Sequence, residues 1–372
     1  MADGGGPVVG VLGSYGGRNS GDEAILTALV SDVRSRRPDA RIMVFSRNPA
    51  HTAQNHPGVE PVVWEGISRS DTTETLARMD LLLLGGGGIL YDSEARRYLR
   101  LVLAAQERGL PVFTYAIGVG PLTEGLDCAM VRDTIAAAAE VTVRDEESKL
   151  LLEEAGVTRD ITVTADPALM LDPEEFDAGL LREEGVPGGR RLVGISVREP
   201  GRAAERLDEG GYHRLLAQVG DFLVHRLDAS VLFVPMERDD IRHAHGVLSH
   251  MTSSDRGRIL HGEYRPRQLL GLMRHFDLAV GMRLHFLIFG ALAGIPLLPL
   301  PYAGKVFDFA QRVGAPTLHG VEREVEGPLL AEVDRLWDER EPRVADMASR
   351  VALLRARSWN TGKLLDPFLT GG

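Results

Sequence analysis

The chain has 372 residues, 44% hydrophobic and 26% charged, an ordinary globular composition with length enough for two domains. Its net charge of −11, from 42 basic and 53 acidic residues, argues against nucleic acid or an anionic membrane surface as the main partner. The single cysteine, Cys128, excludes an intrachain disulfide and a cysteine-based zinc site, and it fits the reducing cytoplasm expected as location.

Met1–Pro7 is neither basic nor apolar, so no signal peptide is expected. Pro7–Leu12 reads as a first strand, apolar nearly throughout, as parallel strands buried on both faces are. Gly13–Gly21 follows as a loop, and a helix opens at Asp22 with Ile25, Leu29 and Val33 along one face. Ser20 is its expected N-cap, with Glu23 completing a capping box. Strand, glycine-rich turn and helix start make either an anion cradle or a tight turn that needs glycines for its own geometry. Neither a Walker loop nor a GxGxxG fingerprint occurs there.

Strands follow at Ala40–Phe45 and Asp80–Leu84, the second running into Gly85-Gly86-Gly87-Gly88. Four glycines after a buried strand admit a ligand or another backbone at close range. Pro111–Ala116 is the next strand, ended by Ile117-Gly118-Val119-Gly120-Pro121; Glu140–Val143 is another, with Arg144 at its terminus and a helix beginning beyond it. Arg144 either faces a ligand or pairs with a neighbouring acid. Ile161–Ala168 closes this half.

Leu171–Arg191, rich in acid, glycine and proline, reads as an interdomain linker. The second half restarts with the strand Leu192–Val197, whose end carries Arg198-Glu199-Pro200-Gly201-Arg202. A helix over about 211–227, a strand at Ser230–Met236, a second helix, a short strand near Arg258 and a helix over Pro266–His275 come next. His243, His245 and His250 read as a solvated cluster, because spacing of two puts His243 and His245 on different helix faces.

Phe276–Val280 is then a short buried strand, broken by Gly281. An apolar helix runs from Leu284 to Ala293, Gly294-Ile295-Pro296 ends it, and Leu297–Leu300 is the next strand. In an open parallel sheet, ligands bind at the carboxyl ends of strands. Arg283 and His285 leave one such end and Lys305 lies just past the next, an arrangement suited to a small anion carrying phosphate and carboxylate. The plainer reading pairs Arg283 with a carboxylate, satisfies His285 at the helix start and leaves Lys305 in water. The most apolar run, Phe286–Tyr302, is interrupted by glycines and prolines and too short to span a membrane. Val321–Leu365 reads as largely helical, with a break near Glu341-Pro342 and a buried stripe at Leu329, Leu330, Val333 and Trp337.

The alternation predicts two Rossmann-like, doubly wound α/β domains facing across a cleft, a GT-B-like architecture. The expected division is 1–175, with the glycine-rich loops and the acceptor side; 190–340, with the Arg-Leu-His motif; and a helical tail at 341–372. Gly13–Leu26, Gly85–Asp92, Gly118–Pro121, Val143-Arg144-Asp145, Ala165-Asp166-Pro167 and Met282-Arg283-Leu284-His285, in that order, resemble the polysaccharide pyruvyl transferase family.

The resemblance implies phosphoenolpyruvate as donor substrate, a saccharide acceptor with two hydroxyls and a pyruvate ketal as product; the chemistry expected from it requires no cofactor or metal. It implies an Arg, a His and a Lys at the donor, carried over as Arg144, His285 and Lys305, with His285 the expected general acid. The family turn before that Lys often reads Tyr-Asp-Pro-Lys, where this chain has Tyr302-Ala303-Gly304-Lys305. The substrate-binding candidates are Tyr15, Asn19, Gly21, Asp22, Gly87, Gly88, Gly118, Arg198 and Arg283. The acceptor could be a free, nucleotide-linked or lipid-linked saccharide, or a small metabolite outside polysaccharide assembly; a lipid-linked one would bring peripheral membrane association. The alternative is a nucleotide-sugar glycosyltransferase of the same architecture, and a non-catalytic sugar- or nucleotide-binding scaffold stands behind it.

Overall fold

The computed structural model describes residues 6–200, 207–317 and 326–370. The chain forms two compact units, Met1–Leu171 with Leu354–Gly372, and Asp172–Leu353. Each is a doubly wound parallel α/β sheet, so the expected architecture is present twice.

The first unit holds β1 (Val8–Leu12), β2 (Arg41–Ser46), β3 (Glu60–Val63), β4 (Leu81–Leu84), β5 (Gly87–Leu90), β6 (Val112–Val119), β7 (Glu140–Val143) and β8 (Thr162–Val163). Their order is β3-β2-β1-β4-β6-β7-β8, with β5 alongside β6 and every pairing parallel. The four leucines of β4 are all buried, as a central strand covered on both faces requires. The strand order reverses between β1 and β4, where Leu12 pairs with Leu84. The two glycine-rich loops therefore leave the sheet side by side, at the edge where doubly wound folds bind ligands.

β3 is absent from the sequence reading; its Pro61 is tolerated because this strand is the sheet edge. β6 runs three residues beyond the expected end, through Gly118, after a register shift that places Ala116 at φ 49°. Residues beyond 354 pack within this unit. Arg36 donates to Asp366, Ser358 to the Asp166 carbonyl, and Phe368 meets Phe113 edge-on at 5.6 Å.

The second unit holds β9 (Arg191–Ser196), β10 (Ala229–Phe233), β11 (Gly257–Ile259), β12 (Leu278–Gly281) and β13 (Leu297–Pro299), in the order β11-β10-β9-β12-β13, all parallel. Its reversal lies between β9 and β12. Ser196 pairs with Gly281 and Gly281 with Pro299, so three strand ends come out level. The stretch expected as a linker is held in this unit. It contains the helix Ala178–Glu183, and Phe176, 3% exposed, packs on Tyr264 and His275. The helices Glu326–Asp338 and Arg340–Leu369 break close to the expected position, and Leu329 and Val333 are buried as expected; Leu336 joins them. Expectations touching Gly201, Arg202 and residues 321–325 lie outside the described residues. No described helix is long and apolar enough to cross a membrane.

Candidate active site

In the first unit, the loop after β1 is filled by its own chain. The helix Ser20–Arg36 is capped by Asn19, not Ser20: the Asn19 side chain accepts from the amides of Gly21 at 2.9 Å and Asp22 at 3.3 Å. Glu23, expected to complete a capping box, instead accepts from the Gly16 amide at 2.9 Å and meets His56 Nε2 at 3.0 Å. The amides of Gly16, Gly21 and Asp22 are thus already engaged, which removes part of the anion-cradle character.

Tyr15 is fully buried. A Cβ on Gly13 would come 2.6 Å from its ring, and one on Gly85 would come 2.0 Å from its hydroxyl, so those glycines make room for the tyrosine. Burial first, then the nearby carboxylates Asp22 and Glu23, push this phenol well up. Gly87, at φ 102°, sits with the Asp22 carboxylate 3.3 Å from where a Cβ would be, and Gly88 is half-buried beside it. Asp22 therefore faces this strand, while the Arg47 guanidinium lies beside the loop at Gly17.

Arg144 follows β7 and is 4% exposed. Its guanidinium donates to Asp145 at 3.1 Å and to Asp166 at 3.3 Å. Gly118 packs flat against it, since a Cβ there would stand 2.7 Å from Arg144 Cζ. Gly118 is therefore explained by the arginine. Asp145 also caps the following helix, accepting from the Ser148 amide at 2.7 Å.

In the second unit the site residues surround the reversal between β9 and β12. Beyond β12 the chain enters the helix Leu284–Ala293, seven of whose ten residues are buried, and which ends on Gly294 at φ 71°. Arg283 occupies its N-cap position without a side-chain cap, and His285 is its second residue, half-buried. The Arg283 guanidinium is held by Asp240, with Nε to Oδ2 at 3.0 Å, and by Glu237. Burial works to lower this arginine, but the two carboxylates outweigh it and hold the charge firmly in place. Asp240, 1% exposed, also accepts from the amides of Met236 and Glu237.

After β13, Tyr302 precedes the helix Gly304–Val313, of which Lys305 is the second residue. Arg198, beyond β9, lays its guanidinium 4.0 Å from the Tyr302 ring centroid, and Lys305 Nζ stands 5.4 Å from the same centroid. Among the described residues neither cation has an acidic partner, in contrast to Arg283. Burial pushes the Tyr302 phenol up, yet Lys305 and Arg198 overcome it and bring it below the ordinary tyrosine value. Tyr212, fully buried, donates to the Arg198 carbonyl at 2.7 Å and fixes where that strand end points. Neither Gly304–Val313 nor Leu284–Ala293 has a side-chain cap, so two helix N-termini present amides at this edge.

Of the expected residues, Arg198 and Lys305 come together here, and Arg283 and His285 lie one strand away; Arg144 stands in the first unit with its own acids. Tyr212 and Asp240 carry no signal of their own in the sequence, and Tyr302 is marked there only as part of the turn before Lys305. The acids of Glu237–Asp240 follow β10 and Arg283 follows β12; their meeting depends on β9 lying between those strands, which spacing does not reveal. His243, expected in solvent, is 1% exposed; His245 and His250 are exposed. Residue 243 turns inward because a neighbouring helix covers its face of Asp240–His250.

The sequence model of the polysaccharide pyruvyl transferase family matches residues 19–304. The amylovoran biosynthesis protein AmsJ of Erwinia amylovora is 22% identical over 282 residues, 72% of this chain and 68% of that protein. Among solved structures, HepE of Anabaena in complex with UDP superposes with a TM-score of 0.65 at 14% identity, covering 98% of this chain and 99% of that one. The UDP-GlcNAc 2-epimerase of Neisseria meningitidis bound to UDP-GlcNAc gives 0.63 at 15% identity, with the same coverage. At such identities the structural likeness concerns the fold, which is GT-B-like.

Proposed function

Since the chain belongs to the polysaccharide pyruvyl transferase family, a family of transferases acting on saccharides, we propose that its donor is phosphoenolpyruvate and its product a pyruvate ketal, with release of inorganic phosphate. The observation that carries this reading is the pair Arg198 and Lys305, two cations without an acidic partner among the described residues, astride Tyr302 at the carboxyl edge of a parallel sheet. Phosphoenolpyruvate bears a carboxylate and a phosphate. A planar guanidinium grips either group with two parallel hydrogen bonds, and an ammonium serves as a point charge for the other.

In this scheme a hydroxyl of the acceptor adds to C2 of the enol ester while His285 gives a proton to C3. The hydroxyl proton returns to the imidazole. The bond between C2 and the phosphate oxygen then breaks, leaving a cation stabilised by the oxygen just attached. The second hydroxyl closes the ketal, and its proton leaves with the phosphate. Lys305 and Arg198 offset the charge that builds on the departing oxygen. Arg283, neutralised by Asp240 and Glu237, holds the start of the His285 helix and so acts as a positioning residue. Arg144, the donor arginine that the resemblance implies, is matched in the first unit by Asp145 and Asp166, so the scheme gives it no contact with phosphoenolpyruvate. The scheme uses no cofactor.

The test incubates the protein with phosphoenolpyruvate and free, nucleotide-linked and lipid-linked saccharides. Phosphate release matched by an acceptor that gains one pyruvyl ketal is the expected result. Release of a nucleoside diphosphate from a nucleotide sugar, with phosphoenolpyruvate untouched, overturns it in favour of glycosyl transfer.

A further inference from the structure

The pyruvyl-transfer scheme leaves unused a cluster between two helices of the second unit. Glu209 and His213 are four residues apart on the helix Glu209–Leu227 and so share one face. His243 comes from the helix Asp240–His250, which packs along it. One donor atom from each of the three side chains lies within 4.8 Å of the others. His213 Nε2 and His243 Nδ1 are 3.1 Å apart. The edge of a tetrahedron around zinc with bonds of about 2.0–2.1 Å is ~3.3 Å, so these nitrogens need hardly move to share an ion.

The rings are 5% and 1% exposed, whereas Glu209 is at the surface. Gly246 makes the space: a Cβ there would lie 2.4 Å from the His213 ring. Burial lowers both imidazoles, which keeps them neutral near pH 7, the state a ligand must have. Arg242 donates to Glu209 Oε1 at 3.0 Å and approaches His243 Nε2 at 3.3 Å. Its side chain is 66% exposed, so an ion displaces the hydrogen bond between the two imidazoles and a weak surface pair.

We propose that Glu209, His213 and His243 form a zinc site that clamps these two helices together. Two imidazole nitrogens and one carboxylate oxygen make a donor set that zinc accepts readily, with water completing the tetrahedron. The ion takes no part in the transfer chemistry. It fixes the helix that begins with Asp240, the acid holding Arg283.

The experiment uses the untagged full-length chain, stripped with a chelator and titrated with zinc chloride against a chromophoric competitor. Wild type is expected to take up one equivalent with a dissociation constant of about micromolar or tighter, and its melting temperature to rise with zinc. Glu209→Gln and His243→Gln should each weaken uptake at least about tenfold and lose the thermal shift. Glu209 is exposed, so its variant reads the site even where His243→Gln fails to fold. Less than half an equivalent bound at ~100 µM zinc, or a Glu209→Gln chain within about tenfold of wild-type affinity, overturns the proposal.

Discussion

Replacing Lys305 with Met tests the donor site without knowledge of the acceptor. A full charge pair at ~4 Å in an effective dielectric of about 20 is worth ~4 kcal/mol. Lys305 is only half-buried, so solvent screening cuts that to about 2 kcal/mol, or roughly thirtyfold in the dissociation constant for phosphoenolpyruvate. Isothermal titration reads this directly, and Lys305→Arg should recover most of it.

A second, ligand-free readout follows from the phenols. Of the seven tyrosines, Tyr302 is shifted down while Tyr15, Tyr91, Tyr98, Tyr115, Tyr212 and Tyr264 are all shifted up. In an alkaline ultraviolet titration one tyrosinate should therefore form ahead of the rest, and Tyr302→Phe should abolish that first step. Because the folded value lies below the unfolded one, ionisation of Tyr302 stabilises the fold as pH rises through the folded value. That contribution is complete above the unfolded value and lost again as pH falls. Lys305→Met removes the larger of the two opposing cations and should delay the first step toward the others. An unchanged titration together with a donor affinity within threefold of wild type would refute the placement of Lys305.

His285→Asn is expected to lower turnover at least about a hundredfold while leaving phosphoenolpyruvate affinity near wild type; turnover within about tenfold removes the histidine from proton transfer. Gly118→Ala drives a methyl group to 2.7 Å from the Arg144 guanidinium and forces it off Asp145 and Asp166. Disturbing a buried pair of this kind costs about 3–5 kcal/mol, so urea denaturation should show a loss near the lower figure, and a loss below about 1 kcal/mol contradicts the packing. Asn19→Ala removes the cap of the first helix and should cost ~1 kcal/mol by the same measurement, whereas Ser20→Ala should cost little.

What the sequence makes legible is what local rules govern. The helix over Leu284–Ala293 is bounded by a strand-ending glycine and a left-handed Gly294, and the structure places it at those residues. Buried parallel strands announce themselves as apolar runs, and their glycine-rich ends mark the edge where the fold reverses. Local rules place the cap at Ser20, one residue late, because Ser and Asn satisfy the same rule, and only the path of Glu23 toward Gly16 and His56 decides between them. Phe176 looked like part of a linker since one aromatic among acids, glycines and prolines carries no periodicity; its burial depends on Tyr264 and His275, far along the chain. The burial of His243 is invisible to helix spacing for the same reason, its partners being on another helix.

The two reversal points differ in a way that bears on substrate assignment. At the first, the amides of the helix start are occupied by Asn19, Glu23 spends its oxygens on Gly16 and His56, and Asp22 faces the glycine-rich strand. An anion entering beside Gly87 would meet the Asp22 carboxylate. At the second, two helix starts lack side-chain caps, and Arg198 and Lys305 lack acidic partners among the described residues. A doubly anionic enol ester seeks cations, so this contrast supports the proposed donor site in the second unit. The same logic separates Arg283 from Arg198: an arginine already matched by two acids gains little from a phosphate, whereas an unmatched one gains the full charge-assisted bond. Donor affinity should therefore fall further in Arg198→Met than in Arg283→Met, whose damage should appear chiefly in stability because it leaves Asp240 buried and alone; the reverse order would assign the phosphate to Arg283.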